Sequence, residues 1–259
     1  MSRRSLDYNH IFIIGAQRSA TTYLWQILNC HPDIYMARPV SPEPKYFLDP
    51  SAAAAGYEAY HQKYFAGAEG VKWLGEKSTS YMECENAAKS IVSLIPDALI
   101  VVMLRDPVER TISNYYFTKA HGMEPYSMER ALIEEPERIQ TWDRSKISVS
   151  PHAYTERGKY IQHLEFWERY FGRDQLILLI AERFIANKTA VTDLYHRFGL
   201  DETLSPSTLN ELVNAGDHDL SDSFIPDSLY GMLAEQFRPW NRRLAEHFKL
   251  DLSCWRGMS

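Results

Sequence analysis

Two short segments of the chain combine cationic and hydroxyl side chains in patterns that proteins use to bind phosphate. The first segment, residues 15–22 (GAQRSATT), follows an apolar run and precedes a helical pattern. At such a junction, backbone N–H groups and a helix N-terminus together hold an anion. Thr21 and Thr22 add hydroxyl donors, and Arg18 adds a positive charge. The segment therefore predicts a phosphate-binding loop.

This first segment departs from the nucleotide-hydrolase pattern GxxxxGK[ST] at its two most informative positions. Ala20 stands in place of the second glycine, and Thr21 stands in place of the lysine that reaches the β- and γ-phosphates. These departures disfavour a kinase or an ATPase, which stays as an alternative. A strand-to-helix turn without a ligand is the other alternative for this segment alone.

The second segment, residues 104–113 (LRDPVERTIS), places Arg105 directly after a buried strand. Ligands of open α/β sheets bind at the carboxyl ends of the strands. Ser113 falls about two turns into the following helix, and an arginine with a nearby hydroxyl grips a phosphate well. Asp106 is expected to cap that helix, and Arg110 is as compatible with a plain surface charge as with a role in the site. Two phosphate-binding segments imply a ligand with two separated phosphates.

The elements around these segments alternate between strands and helices. Strands are predicted at residues 10–14, 71–76, 99–104 and 175–180, and helices at 21–28, 57–65, 107–121, 159–171 and 225–247, the last broken near Pro239. Residues 124–151 are expected to form helices that cap the site. Apolar strands separated by helices indicate an α/β fold with a central parallel sheet covered on both faces. We expect one domain spanning residues 1–259.

The composition fits a globular protein and narrows the partners. Of 259 residues, 45% are hydrophobic and 24% are charged, and the formal net charge is −6. An acidic chain disfavours duplex nucleic acid and, more weakly, a long polyanionic acceptor. We expect no membrane span, no signal peptide, free thiols at the three cysteines and a cytoplasmic location. The oligomeric state is left open.

Both segments resemble the nucleotide signatures of the sulfotransferases that use 3′-phosphoadenosine 5′-phosphosulfate. IFIIGAQRSATTYLWQILNCHPDI and VVMLRDPVERTISNYY are similar to the two signatures, most closely those of bacterial and carbohydrate-modifying, heparan-sulfate-type members. Residues 42–47, 75–81, 157–167 and 241–255 resemble further family segments in the same order. The resemblance implies a P-loop-like nucleotide-binding core without a metal, and adenosine 3′,5′-bisphosphate as the product of the donor.

The resemblance also implies roles for individual residues. The first signature would bind the 5′-phosphosulfate through Gln17, Arg18, Ser19, Ala20, Thr21 and Thr22. The 3′-phosphate would be bound by Arg105 and Ser113, with Arg157 and Gly158 on a loop that reaches it. Glu43 matches the catalytic base of the carbohydrate-type members, and Lys45 and Lys77 match positions near the transferring group.

The mechanism expected from these residues is metal-free sulfuryl transfer to an acceptor hydroxyl. Glu43 takes the proton while Arg18, Lys45 and Lys77 stabilise the developing charge. The alternatives are that Glu43 is a solvated loop acid and that the two lysines are surface charges. Arg18 replaces the usual lysine, and residues 78–79 (Ser-Thr) replace the usual Thr-Pro.

Histidines are the rival bases, and aromatic residues are candidates for an acceptor pocket. His31 is expected to be structural, whereas His121 and His152 stay as candidates. Tyr115, Tyr116, Phe117 and Trp142 line an acceptor pocket or belong to the core. The acceptor is a sugar, lipid, peptide or small-molecule alcohol. A non-catalytic nucleotide-binding protein of the same fold is the second functional alternative.

Overall fold

The apolar runs of the sequence form the strands of one parallel sheet. In the computed structural model, which describes residues 7–49, 51–143, 150–187, 189–201 and 225–258, the strands are β1 (Asn9–Gly15), β2 (Ile34–Met36), β3 (Trp73–Lys77), β4 (Leu99–Leu104) and β5 (Leu176–Ile180). Their order is β2-β3-β1-β4-β5, and every neighbouring pair is parallel. All carboxyl ends therefore meet at one edge of the sheet.

Helices cover both faces of this sheet. They are α1 (Thr21–Cys30), α2 (Ala52–Phe65), α3 (Glu85–Leu94), α4 (Pro107–Ala120), α5 (Met128–Gln140), α6 (Tyr160–Phe171), α7 (Ala181–Ala186), α8 (Ala190–Arg197) and α9 (Asp227–Phe248), with 3₁₀ turns at Tyr46–Leu48 and Glu156–Gly158. Within the described part of the chain, no helix is both long and apolar enough to cross a bilayer.

Side chains of β1 alternate between two buried cores, which explains why this strand is apolar throughout. Phe12 and Ile14 belong to the core shared with α3, α6 and α9, whereas Ile11 and Ile13 belong to the core shared with α1 and α8. Because both faces are covered, neither set of side chains needs to be polar. The prediction of a parallel α/β sheet flanked by helices is confirmed.

Differences from the predicted elements have local causes. Pro239 does not break the last helix, since α9 continues through it; the buried residues Phe237 and Asn241 on either side hold the helix in place despite the lost backbone bond. β2 was not predicted, because three residues are too short for a pattern. Residues 124–151 contain α5, and residues 144–149 lie outside the described part.

Candidate active site

The loop between β1 and α1 presents backbone N–H groups at the sheet edge. Arg18 and Ala20 have φ of 68° and 57°, in the left-handed region that non-glycine residues seldom adopt. Ala20 precedes α1 without a side-chain cap, so the first N–H groups of the helix have no capping oxygen. The loop is tied to β4, since Ala16 N donates to Met103 O at 2.8 Å. Strain held at a helix N-terminus is typical of an anion-binding loop.

The two predicted phosphate-binding segments meet at Arg18. Its Nε donates to Ser113 Oγ at 3.1 Å, and Arg105 Nη1 donates to the backbone oxygen of Arg18 at 3.4 Å. The Arg18 guanidinium also lies 4.7 Å from the ring centre of Phe117. Arg18, Arg105 and Ser113 therefore form one group above the ends of β1 and β4.

The start of α4 is capped as the sequence predicts. Asp106 Oδ1 accepts from Val108 N at 2.9 Å, and its other oxygen accepts from Arg256 N at 2.8 Å. Glu182 accepts both from Asp106 N at 2.8 Å and from Trp255 Nε1 at 3.1 Å. Trp255 and Arg256 thus stabilise the turn that carries Arg105, which is predicted to bind the 3′-phosphate.

Arg110 is not a surface charge. It is 0% exposed, it donates to Asn114 Oδ1 at 3.2 Å, and it donates to the backbone oxygen of Tyr154. Burial lowers the pKa of Arg110 from 12.5 to about 10. Sequence alone does not show which helix face is turned inward, so it left both alternatives open for Arg110, and burial removes that of a surface charge.

Glu43 is held by the residues that follow β3. Its Oε1 accepts from Lys77 Nζ at 2.8 Å, and its Oε2 accepts from Thr79 N at 2.9 Å. Thr79 Oγ1 lies 3.0 Å from both carboxylate oxygens. The Glu43 and Lys77 side chains are only 14% and 7% exposed. The alternatives of a solvated loop acid and a surface lysine are therefore wrong for these two residues.

Backbone bonds place the Glu43 carboxylate beside the loop between β1 and α1, the predicted phosphate-binding loop. Ser78 N donates to Ile13 O, and Met82 N donates to Ile14 O, each at 3.0 Å. The 78–82 segment thus runs along the end of β1, where the loop begins. Thr79 stands where the resembled family pattern has proline, and its N–H is a donor to Glu43 that proline lacks.

A buried network that sequence reasoning missed lies beneath Glu43. Glu76 is 1% exposed and accepts from Tyr60 Oη at 2.5 Å and from Ser78 Oγ at 2.6 Å. Burial raises the pKa of Glu76, although these hydrogen bonds oppose the change. Ser78 Oγ also accepts from Lys45 N at 2.9 Å, where Lys45 has a left-handed φ of 49°. The sequence signal for this network was Glu76, the one acidic residue within the short buried strand β3.

Arg157 reaches the phosphate loop from the 3₁₀ turn but is not a free cation. It donates to Gln17 Oε1 and to Ser150 O at 2.9 Å, and its Nε lies 3.4 Å from Glu83 Oε1. At Gly158, an added Cβ would come within 2.6 Å of the Phe237 ring. Packing against α9 thus accounts for this glycine, and Glu83 is a partner that sequence reasoning missed.

The three histidines considered as rival bases make their hydrogen bonds with groups other than Glu43. His31 is buried, its Nδ1 accepts from Asp33 N at 3.1 Å, and its ring packs on Tyr195 at 4.7 Å, so its structural role is confirmed. His121 contacts Phe117 O at 2.8 Å, and His152 contacts Met123 O at 3.1 Å. Burial lowers the pKa of His152.

The aromatic candidates divide between core and site. Tyr115 is buried and donates to Tyr126 O at 2.8 Å, so it belongs to the core, and Tyr116 packs against it at 5.2 Å. Phe117 lies under Arg18, and Trp142 packs edge-on against His152 at 5.6 Å. Among the described residues, no group of three or more His, Cys, Asp or Glu side chains is arranged to hold a metal.

Comparison with known proteins identifies relatives for most of this chain. The family model described as the sulfotransferase domain matches residues 8–215 of this chain. Bifunctional heparan sulfate N-deacetylase/N-sulfotransferase 4 of Mus musculus is 28% identical over 190 residues, which cover 72% of this chain and 21% of that protein. Heparan sulfate glucosamine 3-O-sulfotransferase 6 of Homo sapiens is 26% identical over 255 residues, covering 89% of this chain and 69% of that protein.

A solved structure supports the same relationship over the whole fold. The crystal structure of a sulfotransferase from Alicyclobacillus acidocaldarius superposes with a TM-score of 0.80 at 26% identity, covering 97% of this chain and all of that one. By contrast, the chain spans only 21% of the length of the bifunctional heparan sulfate relatives.

Proposed function

The chain belongs to the sulfotransferase-domain family, and from its site we propose that it transfers a sulfuryl group from 3′-phosphoadenosine 5′-phosphosulfate to an acceptor hydroxyl. The observation that carries this proposal is the Glu43–Lys77 ion pair held beside the phosphate loop. A buried acid–base pair next to an anion-binding loop suits proton removal coupled to the departure of a phosphate.

The donor would be bound by the two segments that meet at Arg18. In this proposal the backbone N–H groups and hydroxyls of residues 17–22 hold the 5′-phosphosulfate, and Arg105 and Ser113 hold the 3′-phosphate. The uncapped start of α1 and the contact of Arg18 with Ser113 support it. Arg157 and Gly158 serve indirectly, since their contacts are with Gln17 and Phe237.

In the proposed reaction Glu43 removes the proton of the acceptor hydroxyl. The acceptor oxygen forms a bond to sulfur as the bond from sulfur to the bridging phosphate oxygen breaks, and adenosine 3′,5′-bisphosphate leaves with the new negative charge. Protonation of Glu43 weakens its attraction for Lys77, whose ammonium then serves the leaving phosphate. Arg18 and Lys45 add positive charge at the same edge of the sheet.

The acceptor class follows from the relatives only as a proposal. Two of the relatives are named for heparan sulfate, and one of these two is named as a glucosamine 3-O-sulfotransferase, so a carbohydrate hydroxyl is the first acceptor to test, followed by lipid and small-molecule alcohols. A cytoplasmic location is part of the same proposal, and the free thiols of Cys30, Cys84 and Cys254 are compatible with it.

A transfer assay with the ³⁵S-labelled donor and a panel of carbohydrate, lipid and small-molecule alcohols tests this function. We expect the wild type to label at least one acceptor class and Glu43→Gln to lose turnover while still binding adenosine 3′,5′-bisphosphate. Glu129→Gln, an exposed acid on α5, is the matched control and should behave as wild type. Unchanged turnover in Glu43→Gln would remove the base assignment.

A further inference from the structure

A buried ion pair between Glu83 and Arg157 adjoins the β1–α1 loop, and Arg157 contacts Gln17 in that loop. Glu83 Oε1 lies 3.4 Å from Arg157 Nε, and the two side chains are only 11% and 5% exposed. Neither carboxylate oxygen of Glu83 nor the Nε of Arg157 has a hydrogen-bond partner within the described residues. Removing two charges from water costs more than such a loose pair returns. Stability alone therefore does not explain the pair.

The pair joins three segments that build the donor side of the site. Arg157 donates to Gln17 Oε1 in the phosphate loop and to Ser150 O at 2.9 Å, and its Nη1 lies 3.5 Å from Asn114 Oδ1 on α4. One guanidinium thus links the loop to α4 and to the 3₁₀ turn. Any rotation of this guanidinium moves its contact with Gln17.

Glu83 itself is fixed against the root of the same loop. The preceding residue, Met82, donates its N–H to Ile14 O at 3.0 Å, and its oxygen accepts from Trp167 Nε1 at 3.1 Å. A Cβ added at Gly15 would come within 2.8 Å of the Met82 sulfur. The backbone at residue 83 therefore cannot shift independently of the loop.

A second buried cation adds to the role of the Glu83 carboxylate. The guanidinium of Arg110 is fully buried. Burial is the main cause of its lowered pKa, the nearby charge of Arg157 adds to that effect, and the charges of Glu83 and Glu135 oppose it. Without the charge of Glu83, the repulsion between the two guanidinium groups is compensated less, which favours displacement of Arg157 from its present position.

We propose that Glu83 is a positioning residue for the donor: through its ion pair with Arg157, it holds Gln17 and thereby the phosphate loop in the donor-binding shape. This inference rests on the proposed function, because it concerns affinity for the nucleotide of that reaction. Glu83 acts through Arg157 and makes no contact with the reacting groups.

The test compares Glu83→Gln with Glu85→Gln by titration of adenosine 3′,5′-bisphosphate in a calorimeter. Both acids line the same cleft, but Glu85 is 43% exposed and pairs with Lys89 instead of Arg157. We expect Glu83→Gln to weaken binding about tenfold, the usual scale of coupling within one polar network, and Glu85→Gln to leave it unchanged. In turnover, the KM for the donor should rise while the KM for the acceptor stays constant.

A double-substitution cycle with Gln17→Ala separates positioning from a general loss of structure. If Glu83 acts through Gln17, adding Glu83→Gln to Gln17→Ala causes no further loss of affinity. Fully additive losses, or an unchanged affinity in Glu83→Gln, would overturn the proposal. So would equal rises in both KM values together with a lowered melting temperature. If the wild type itself fails to bind the nucleotide, the proposed function fails instead.

Discussion

Replacing Thr79 with valine removes one support of the proposed base and keeps the shape of the side chain. The substitution deletes the hydroxyl that lies 3.0 Å from both oxygens of Glu43. It leaves the backbone N–H at 2.9 Å and the Lys77 ammonium at 2.8 Å. Two of the three donor groups therefore remain, one on each carboxylate oxygen, and the carboxylate loses the donor that contacts both oxygens.

The expected cost follows from the charge and the exposure of Glu43. A hydrogen bond to a charged group contributes about 1.5–3 kcal/mol. Because the Glu43 side chain is 14% exposed, water replaces part of the lost bond, so the lower end of this range applies. About 1.4 kcal/mol corresponds to a roughly tenfold lower kcat.

Initial-rate measurements with the labelled donor and the best acceptor test this prediction. We expect Thr79→Val to lower kcat about tenfold with the KM for the donor unchanged, and Thr79→Ser to retain activity. Thr192→Val, at a half-buried position on α8 whose hydroxyl donates to Thr189 O, controls for the replacement of threonine by valine itself. An unchanged kcat in Thr79→Val, or a loss confined to the donor KM, would refute the role given to the Glu43 cluster.

Three further predictions concern other parts of the fold. Arg105→Ala should weaken binding of adenosine 3′,5′-bisphosphate roughly tenfold to a hundredfold by calorimetry, because a charged hydrogen bond is lost. Trp255→Ala should lower the free energy of unfolding by about 3–5 kcal/mol in urea, because a buried indole and its bond to Glu182 are removed. Burial lowers the pKa of His10 from 6.5 to about 4, so the unfolded chain binds the extra proton and stability falls as the pH drops through this window. In His10→Phe, the decrease in the free energy of unfolding between pH 7 and pH 4.5 should be about 2.5 kcal/mol smaller than in the wild type.

Each of these predictions has a control and an opposing result. Arg197→Ala, an exposed arginine on α8, should bind the nucleotide normally; equal affinity in Arg105→Ala contradicts its assignment. A loss below about 1 kcal/mol in Trp255→Ala would mean that the site collapses without a cavity. For His10→Phe, the exposed His121→Phe is the comparison, and identical pH dependence in both variants contradicts the buried-histidine argument.

The loop between β1 and α1 and the turn before α4 were predictable as local structures because their signals are local. An apolar strand, a small polar turn and a helix specify the junction at residues 15–22 without help from distant segments. Asp106 followed by proline similarly specifies the cap of α4. The confirmed strand and helix positions follow from the same short-range patterns.

The contacts that complete the site were not predictable because they join distant segments. Thr79 meets Glu43 across 36 positions, and Arg157 meets Gln17 across 140 positions. The inward face of α4, which buries Arg110, depends on the packing of α4 against Tyr154 and its neighbours. Pattern and charge identify candidate residues, whereas tertiary packing decides which of them become partners.

The central claim is that this site binds a nucleotide with separate 3′- and 5′-phosphates, and a thermal-shift titration tests it most directly. Adenosine 3′,5′-bisphosphate at a hundred times its Kd should stabilise the fold by about 2.7 kcal/mol, and ATP with magnesium should stabilise it much less. Stabilisation by ATP with magnesium and none by adenosine 3′,5′-bisphosphate would contradict the sulfotransferase account.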